Sequence, residues 1–123
     1  MIKNILLVGL AGGFGSVLRY AIQRLVQPHS AGVFPTGTFL INITGCLLIG
    51  IFWSWLARSG NVNEEIKLLL MTGFCGGFTT FSAFTLESIG LLKEDKIGLF
   101  IFYVGGSIIL GLLATYAGIR FTK

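Results

Sequence analysis

Charge is what this sequence has least of. Nine Lys and Arg and five Asp and Glu make up 11% of its 123 residues, against 54% hydrophobic residues and a mean hydropathy of +0.86. So little polar surface cannot cover a water-soluble domain. Groups for acid-base or metal chemistry are equally scarce. The one histidine, His29, falls in a connecting segment and reads as a solvated loop residue. Ser82 has no G-x-S-x-G setting and no visible base, and Glu87 is the only acid near the interior of an apolar run. An enzyme is therefore the least supported class. The two cysteines, Cys46 and Cys75, lie inside apolar runs, where a small packing role is favoured over a disulfide or a metal site. No long polar stretch leaves room for a second domain, a soluble module or a low-complexity tail, so residues 1–123 are read as one four-helix transmembrane channel domain. The halves share glycine richness but no internal repeat.

What is present is apolar length. Charge-free runs extend from Asn4 to Leu18, Ser30 to Ala57, Leu68 to Leu86 and Ile97 to Ile119, each near or above the roughly 20 residues that a spanning helix needs. They predict an all-α integral membrane protein with four transmembrane helices. Lys3 followed by Ile5 to Gly15 also fits the basic and apolar regions of a signal peptide. No A-x-A-like cleavage site follows, and the helix is expected to continue through Arg19 and Tyr20 to about Val26, with Pro28 marking the turn. The connections are short: Gln27 to Pro35, Arg58 to Glu65 with Gly60 and Asn61, and Lys93 to Lys96.

In so apolar a chain, positive charge concerns orientation in the bilayer rather than nucleic acid, because cytoplasmic loops collect Lys and Arg. With four spans, Lys3, Arg58, Lys67, Arg120 and Lys123 fall on one side and Arg19, Arg24, Lys93 and Lys96 on the other. Five against four fits a weakly biased single topology, and it equally fits a protein that inserts both ways up.

Four helices enclose little space, so transport requires an oligomer. Small-xxx-small pairs at Gly9 and Gly13, Ser107 and Gly111, and Ala114 and Gly118 suit close backbone approach. Polar side chains also recur at helical spacing. Thr38 and Asn42 share one face of the second helix, and Tyr103, Ser107 and Thr115 share one face of the fourth. For a single hydroxyl, bonding back to its own helix or to a neighbour is the simpler reading. Asn42 is different, because an amide flanked by Ile41 and Ile43 must find partners or a ligand.

The stretch GFCGGFTTFSAF, Gly73 to Phe84, is the least helix-like part of any span. An interior glycine costs a helix about 1 kcal/mol relative to alanine, and Gly73, Gly76 and Gly77 fall within five residues. Two readings stand. Either the helix breaks there and its orphan carbonyls, the negative end of a half-helix dipole, suit a small cation, or the glycines make a close-packing site. Phe81 and Phe84, three apart, share a face among the hydroxyls of Thr79, Thr80, Ser82 and Thr85. A phenyl ring has a positive edge, so rings turned edge-on line a path for an anion, whereas an ordinary Phe pair only packs.

Three segments, GGFGSVLRY (Gly12 to Tyr20), GTFLINITG (Gly37 to Gly45) and GFCGGFTTFSAF, occur in the order and spacing of one family. On them the chain resembles, over essentially its whole length, the Fluc (CrcB) fluoride channels of bacteria and some other microbes. The resemblance implies a dual-topology homodimer of antiparallel subunits in the inner (plasma) membrane. It implies two pores that pass fluoride passively and protect the cell from fluoride toxicity, and a structural sodium ion at the midplane. It assigns Asn42, Phe81 and Phe84 to the pore, with Thr38, Tyr103 and Ser107 on its hydroxyl track, and gives Gly76 and Thr79 as donors of backbone carbonyls to sodium. Arg19 corresponds to the family's first-helix arginine, at the vestibule or in a structural pairing. Glu87 lies near the path or at headgroup level. Gly111 stands where some relatives carry another hydroxyl, with Thr115 a possible substitute.

The physics of the ion agrees with that assignment. Fluoride is strongly hydrated, and moving even a carboxylate-sized ion into a low-dielectric medium costs on the order of 20 kcal/mol in the Born limit. Neutral donors replace water without trapping the ion as fixed lysines do. A rival class, four-helix dual-topology antiporters of the small multidrug resistance type, needs a carboxylate in the first helix, and this first helix has none. A non-transporting scaffold explains the glycines but not Asn42 together with the hydroxyls.

Overall fold

The computed structural model describes residues 1–26, 34–60 and 63–122. The expectations placed on Pro28, His29, Asn61 and Lys123 lie outside the described residues. Among these residues all regular structure is helical, and four helical segments are long and apolar enough to cross a membrane: Ile2–Val26, Thr36–Arg58, Glu64–Lys93 and Ile97–Phe121. The first is one unbroken helix, α1 (Ile2–Val26), reaching the end expected from sequence. The second is α2 (Thr36–Arg58), and the last is α6 (Ile97–Phe121).

Each span ends with a basic residue in its last turn: Arg24, Arg58, Lys93 and Arg120. A cation there complements the negative end of the helix dipole. Because successive spans run in opposite directions, these four charges divide evenly between the two ends of the bundle. Helix-end electrostatics thus accounts for much of the charge balance. Only the third span opens on acids, with Glu64 and Glu65 in its first turn and Asn63 accepting from the Glu65 N–H at 3.0 Å. Lys3 pairs with Glu65 at 2.9 Å, tying the start of α1 to the start of the third span. At the tight turn before α6 Asp95 takes a positive φ of 58°, as the residue after a helix commonly does.

The third span is not one helix. It runs as α3 (Glu64–Lys67), a π-helical segment Leu68–Cys75, a short α4 (Gly76–Phe78), two extended residues, Thr79 and Thr80, and then α5 (Phe81–Lys93). The span breaks near its middle, but just beyond the glycines rather than at them. Gly76 itself has helical φ of −62° and ψ of −39°, whereas Thr79 (−88°, 160°) and Thr80 (−150°, 116°) are extended, a conformation β-branched residues favour. Gly73 and Gly77 are spent on packing. A Cβ at Gly77 would run into the Gly12 backbone, and one at Gly73 would lie 2.7 Å from Ala11 Cβ. Reciprocally, a Cβ on Gly15 would strike the carbonyl of Phe74 and stand 2.8 Å from Phe78 N. Close packing therefore accounts for Gly73 and Gly77, and the break falls at the threonines that follow.

A second seam joins α2 to α6. Gly50 meets the Thr115 backbone, Gly118 meets the Leu47 carbonyl, and Gly111 faces Cys46 Sγ, with 3.3 Å to a Cβ placed there. The pairs containing Gly111 and Gly118 act as expected, whereas a Cβ on Gly9 or Gly13 would meet nothing among the described residues. Where α5 and α6 meet, Phe84, Leu91 and Tyr103 form a buried cluster flanked by Phe34, Phe39, Phe100 and Val104.

Candidate functional site

A break in a membrane helix leaves backbone groups that need partners away from water, and here side chains supply them. Thr79 Oγ1 donates to the Cys75 carbonyl at 2.8 Å, and Thr80 Oγ1 accepts from the Ala83 N–H at 3.2 Å as the N-cap of α5. From α1, Ser16 Oγ and Arg19 Nε both donate to the Gly77 carbonyl, at 3.3 and 3.2 Å. Arg19 thus sits on the C-terminal end of the upstream half-helix, where a cation is favoured. From α2, Asn42 grips Thr80 from both sides. Its Nδ2 donates to the Thr80 carbonyl at 3.0 Å and its Oδ1 accepts from the Thr80 N–H at 2.9 Å. The partner that the half-buried amide finds is the broken backbone itself. Gly45, one turn along α2, leaves room for the Thr79 side chain.

Beside this break lies a groove of about 410 Å³. Its lining brings together Asn42, Gly76, Thr79, Phe81, Phe84 and Ser107, six of the residues expected to serve the site, with Cys46, Cys75, Thr72 and Thr80 among the others. No charged side chain is among the described residues lining it. The polar groups offered are an amide, hydroxyls and backbone. The rings of Phe81 and Phe84 lie 5.8 Å apart at 43°. In the single chain they differ sharply, Phe81 being 76% exposed and Phe84 9%.

Thr38, Tyr103 and Glu87 stand outside the groove lining, joined to it through Phe84, whose ring meets that of Tyr103 at 5.0 Å. Tyr103 and Thr38 are buried, at 0% and 1% exposure. Both serve Glu87: Tyr103 Oη donates to Oε1 and Thr38 Oγ1 to Oε2, each at 2.9 Å. Gln23 of α1 completes the set, its Nε2 donating to Thr38 Oγ1 at 3.1 Å. Glu87 on α5 is thus held by hydroxyls from α2 and α6. Thr115 donates to the Cys46 carbonyl at 2.9 Å and belongs to the α2–α6 seam, as does Gly111. Sequence reasoning missed Ser16, Gln23, Gly45 and the Thr80 backbone. The available signal was spacing, since Ser16 and Gln23 lie three and four residues from Arg19 on α1.

No cluster of three or more His, Cys, Asp or Glu occurs among the described residues. Gly76 has open space beside it, and both Gly76 and Thr79 border the groove.

Comparison with known proteins gives one consistent result. The sequence model of the family described as CrcB-like protein, Camphor Resistance (CrcB) matches residues 6–119. Similar proteins include the fluoride-specific ion channel FluC of Flavobacterium psychrophilum, 44% identical over 98% of this chain and 98% of that protein. The protein of the same name from Phocaeicola vulgatus is 46% identical over 95% and 96%, and that of Bacteroides fragilis is 49% identical over 94% and 93%.

Proposed function

We propose, since the chain belongs to the CrcB-like family, that it is a fluoride channel: it lets fluoride leave the cytoplasm passively across the plasma membrane and so protects the cell from fluoride. The observation that carries this reading is the composition of the groove, where an amide, hydroxyls and two phenyl rings converge without a fixed cation. Fluoride needs short contacts from donors to replace its water, and neutral donors release it again. Asn42, Ser107, Phe81 and Phe84 supply those contacts, the rings through their positive edges.

The working unit is an antiparallel homodimer with two pores. The groove of one chain is open along its side, Phe81 projects from it, and Gly9 and Gly13 present a small-residue face of α1 that meets nothing among the described residues. A second copy covers these surfaces, and the even division of charge lets both orientations insert. Gly76 and Thr79 hold a structural sodium ion through their carbonyls, which lie at the negative end of the upstream half-helix. When bound, the ion supplies charge that offsets those carbonyls and ties the two copies together.

The test is anion efflux from liposomes containing the purified protein. Rapid fluoride release with chloride retained is expected, whereas equal release of both ions, or of neither, overturns the reading. Exchange of sodium for a large organic cation is expected to lower the dimer fraction.

A further inference from the structure

Every sulfur of the chain except that of Met1 belongs to a side chain bordering the one groove beside the break. Met71 and Cys75 come from the π-helical segment of the third span, four residues apart, and Cys46 comes from α2. The two elements are pressed together at this level: Gly45, next to Cys46, leaves room for the side chain of Thr79, one turn beyond Cys75. The two thiols are near enough for a charge on one to be felt by the other. Both are free. The hydrogen bonds that reach these residues, from Thr115 to Cys46 and from Thr79 to Cys75, end on their carbonyls and leave sulfur uncommitted. Gly111 of α6 stands against Cys46 Sγ, 3.3 Å from it at the place of a Cβ. Packing alone asks only for small apolar bulk at such positions. It gives no reason for three sulfurs to border an open space of about 410 Å³.

We propose that Cys46, Cys75 and Met71 form a soft-metal site, which takes one monovalent ion of the Cu(I) or Ag(I) type. Thiolate and thioether sulfur select such ions over hard ones. Among the described residues no carboxylate or imidazole borders the groove to favour a different metal. When the ion binds, each thiol gives up its proton to the medium and ligates as thiolate, while the thioether stays neutral. The ion keeps its oxidation state throughout. One positive ion on two thiolates leaves a complex with a single negative charge. The site is chemically distinct from the carbonyls of Gly76 and Thr79, whose oxygens suit a hard ion such as sodium. Its consequence rests on the fluoride-channel reading: a groove without a fixed charge acquires a negative one beside the anion route, and fluoride passage is blocked.

Silver(I) is the probe, added as nitrate in a chloride-free sodium buffer so that hard-ion sites stay filled. The purified wild-type protein is expected to keep about one silver per chain after desalting, held by sulfur. X-ray absorption at the silver edge is expected to show three sulfur neighbours, falling to two in Met71→Leu, which keeps the bulk and removes the thioether. Cys46→Ala and Cys75→Ala, each checked by gel filtration, are expected to lose most of the silver. Two silvers per chain, silver bound by oxygen, or wild-type retention in either cysteine variant overturns the site, as does a sulfur count that Met71→Leu leaves unchanged. The wild-type stoichiometry and sulfur count decide the case even where a variant fails to fold. In liposomes, silver is expected to stop fluoride efflux from the wild type, and dithiothreitol to restore it. Silver held by the three sulfurs with efflux undiminished overturns the block. If the wild type conducts no fluoride without silver, the channel reading fails, and silver content and sulfur count alone decide the site.

Discussion

The two halves of the third span are made of one continuous sequence and do opposite kinds of work. Upstream of the break, from Glu64 to Phe78, the span is docked on α1 through glycine, and it lines the groove with Met71, Thr72, Cys75 and the open side of Gly76. Downstream, α5 presents side chains three apart, Phe81, Phe84 and Glu87, toward the groove and the buried network beside it. The difference teaches why the break is where it is. Small residues, glycine above all, let two helix backbones approach closely, so the docked half spends Gly73 and Gly77 on the seam with α1. The half that displays side chains must leave that seam, and the extended pair Thr79 and Thr80 provides the departure.

The largest effect should come from attacking the docked half. Gly77→Val drives a side chain into the Gly12 backbone, which has no flexible end to move aside. Overpacking of this kind costs about 3 kcal/mol or more, and loss of the monodisperse dimer on gel filtration is expected. Gly76→Ala, one residue earlier, enters space that is open within the single chain, so the fold of the chain is expected to tolerate it and any loss of dimer falls on the contact with the second copy. If both variants fold equally well, the docked-platform description of this half fails.

Next in size is the joint between the halves. Asn42→Asp can still accept from the Thr80 N–H, but it loses the donor to the Thr80 carbonyl and sets a negative charge against that oxygen and against any passing anion. Fluoride efflux is expected to cease. Normal efflux from a folded Asn42→Asp dimer would take Asn42 out of the path and leave it a clamp on the break alone.

Smaller in stability, but sharper in what it discriminates, is substitution on the displaying half. Phe81→Ile and Phe84→Ile keep much of the apolar bulk and lose the ring edge. If the rings serve the anion, both variants remain dimers by gel filtration and both lose most of their fluoride flux. If they only pack, the buried Phe84 should lose about 1 to 3 kcal/mol on such a change of shape while flux through correctly folded dimers stays near normal. The smallest effect is expected at the far end of the docked half. Lys3→Ala removes the Lys3–Glu65 pair, which is 70% and 48% exposed, so solvent screening limits the thermal destabilisation to under about 1 kcal/mol. A larger loss would mean that the docked half depends on its end as well as on its glycines.

Taken by itself, the sequence determined the medium and the outline. Four charge-free runs of spanning length, separated by short polar links, have few solutions in a bilayer, because each segment must satisfy its own backbone. The spans accordingly fall close to where hydropathy puts them. It also made the third span suspect, since three glycines in five residues have no purpose in a helix that only needs to be apolar. What it did not decide was which feature does what. A glycine that breaks a helix and a glycine that admits a neighbouring backbone look alike in one dimension, and only the position of α1 assigns Gly73 and Gly77 to packing. Asn42 was visible as an amide in need of a partner, but that partner, Thr80, is 38 residues away. Thr38 and Tyr103 were legible as polar positions on two helices, yet their joint attention to Glu87, and the place of Gln23 behind Thr38, arise only when four helices meet. Local pattern governs what each segment can tolerate in lipid. Hydrogen-bond partners and close approaches are set between segments distant in sequence, and these the tertiary structure alone decided.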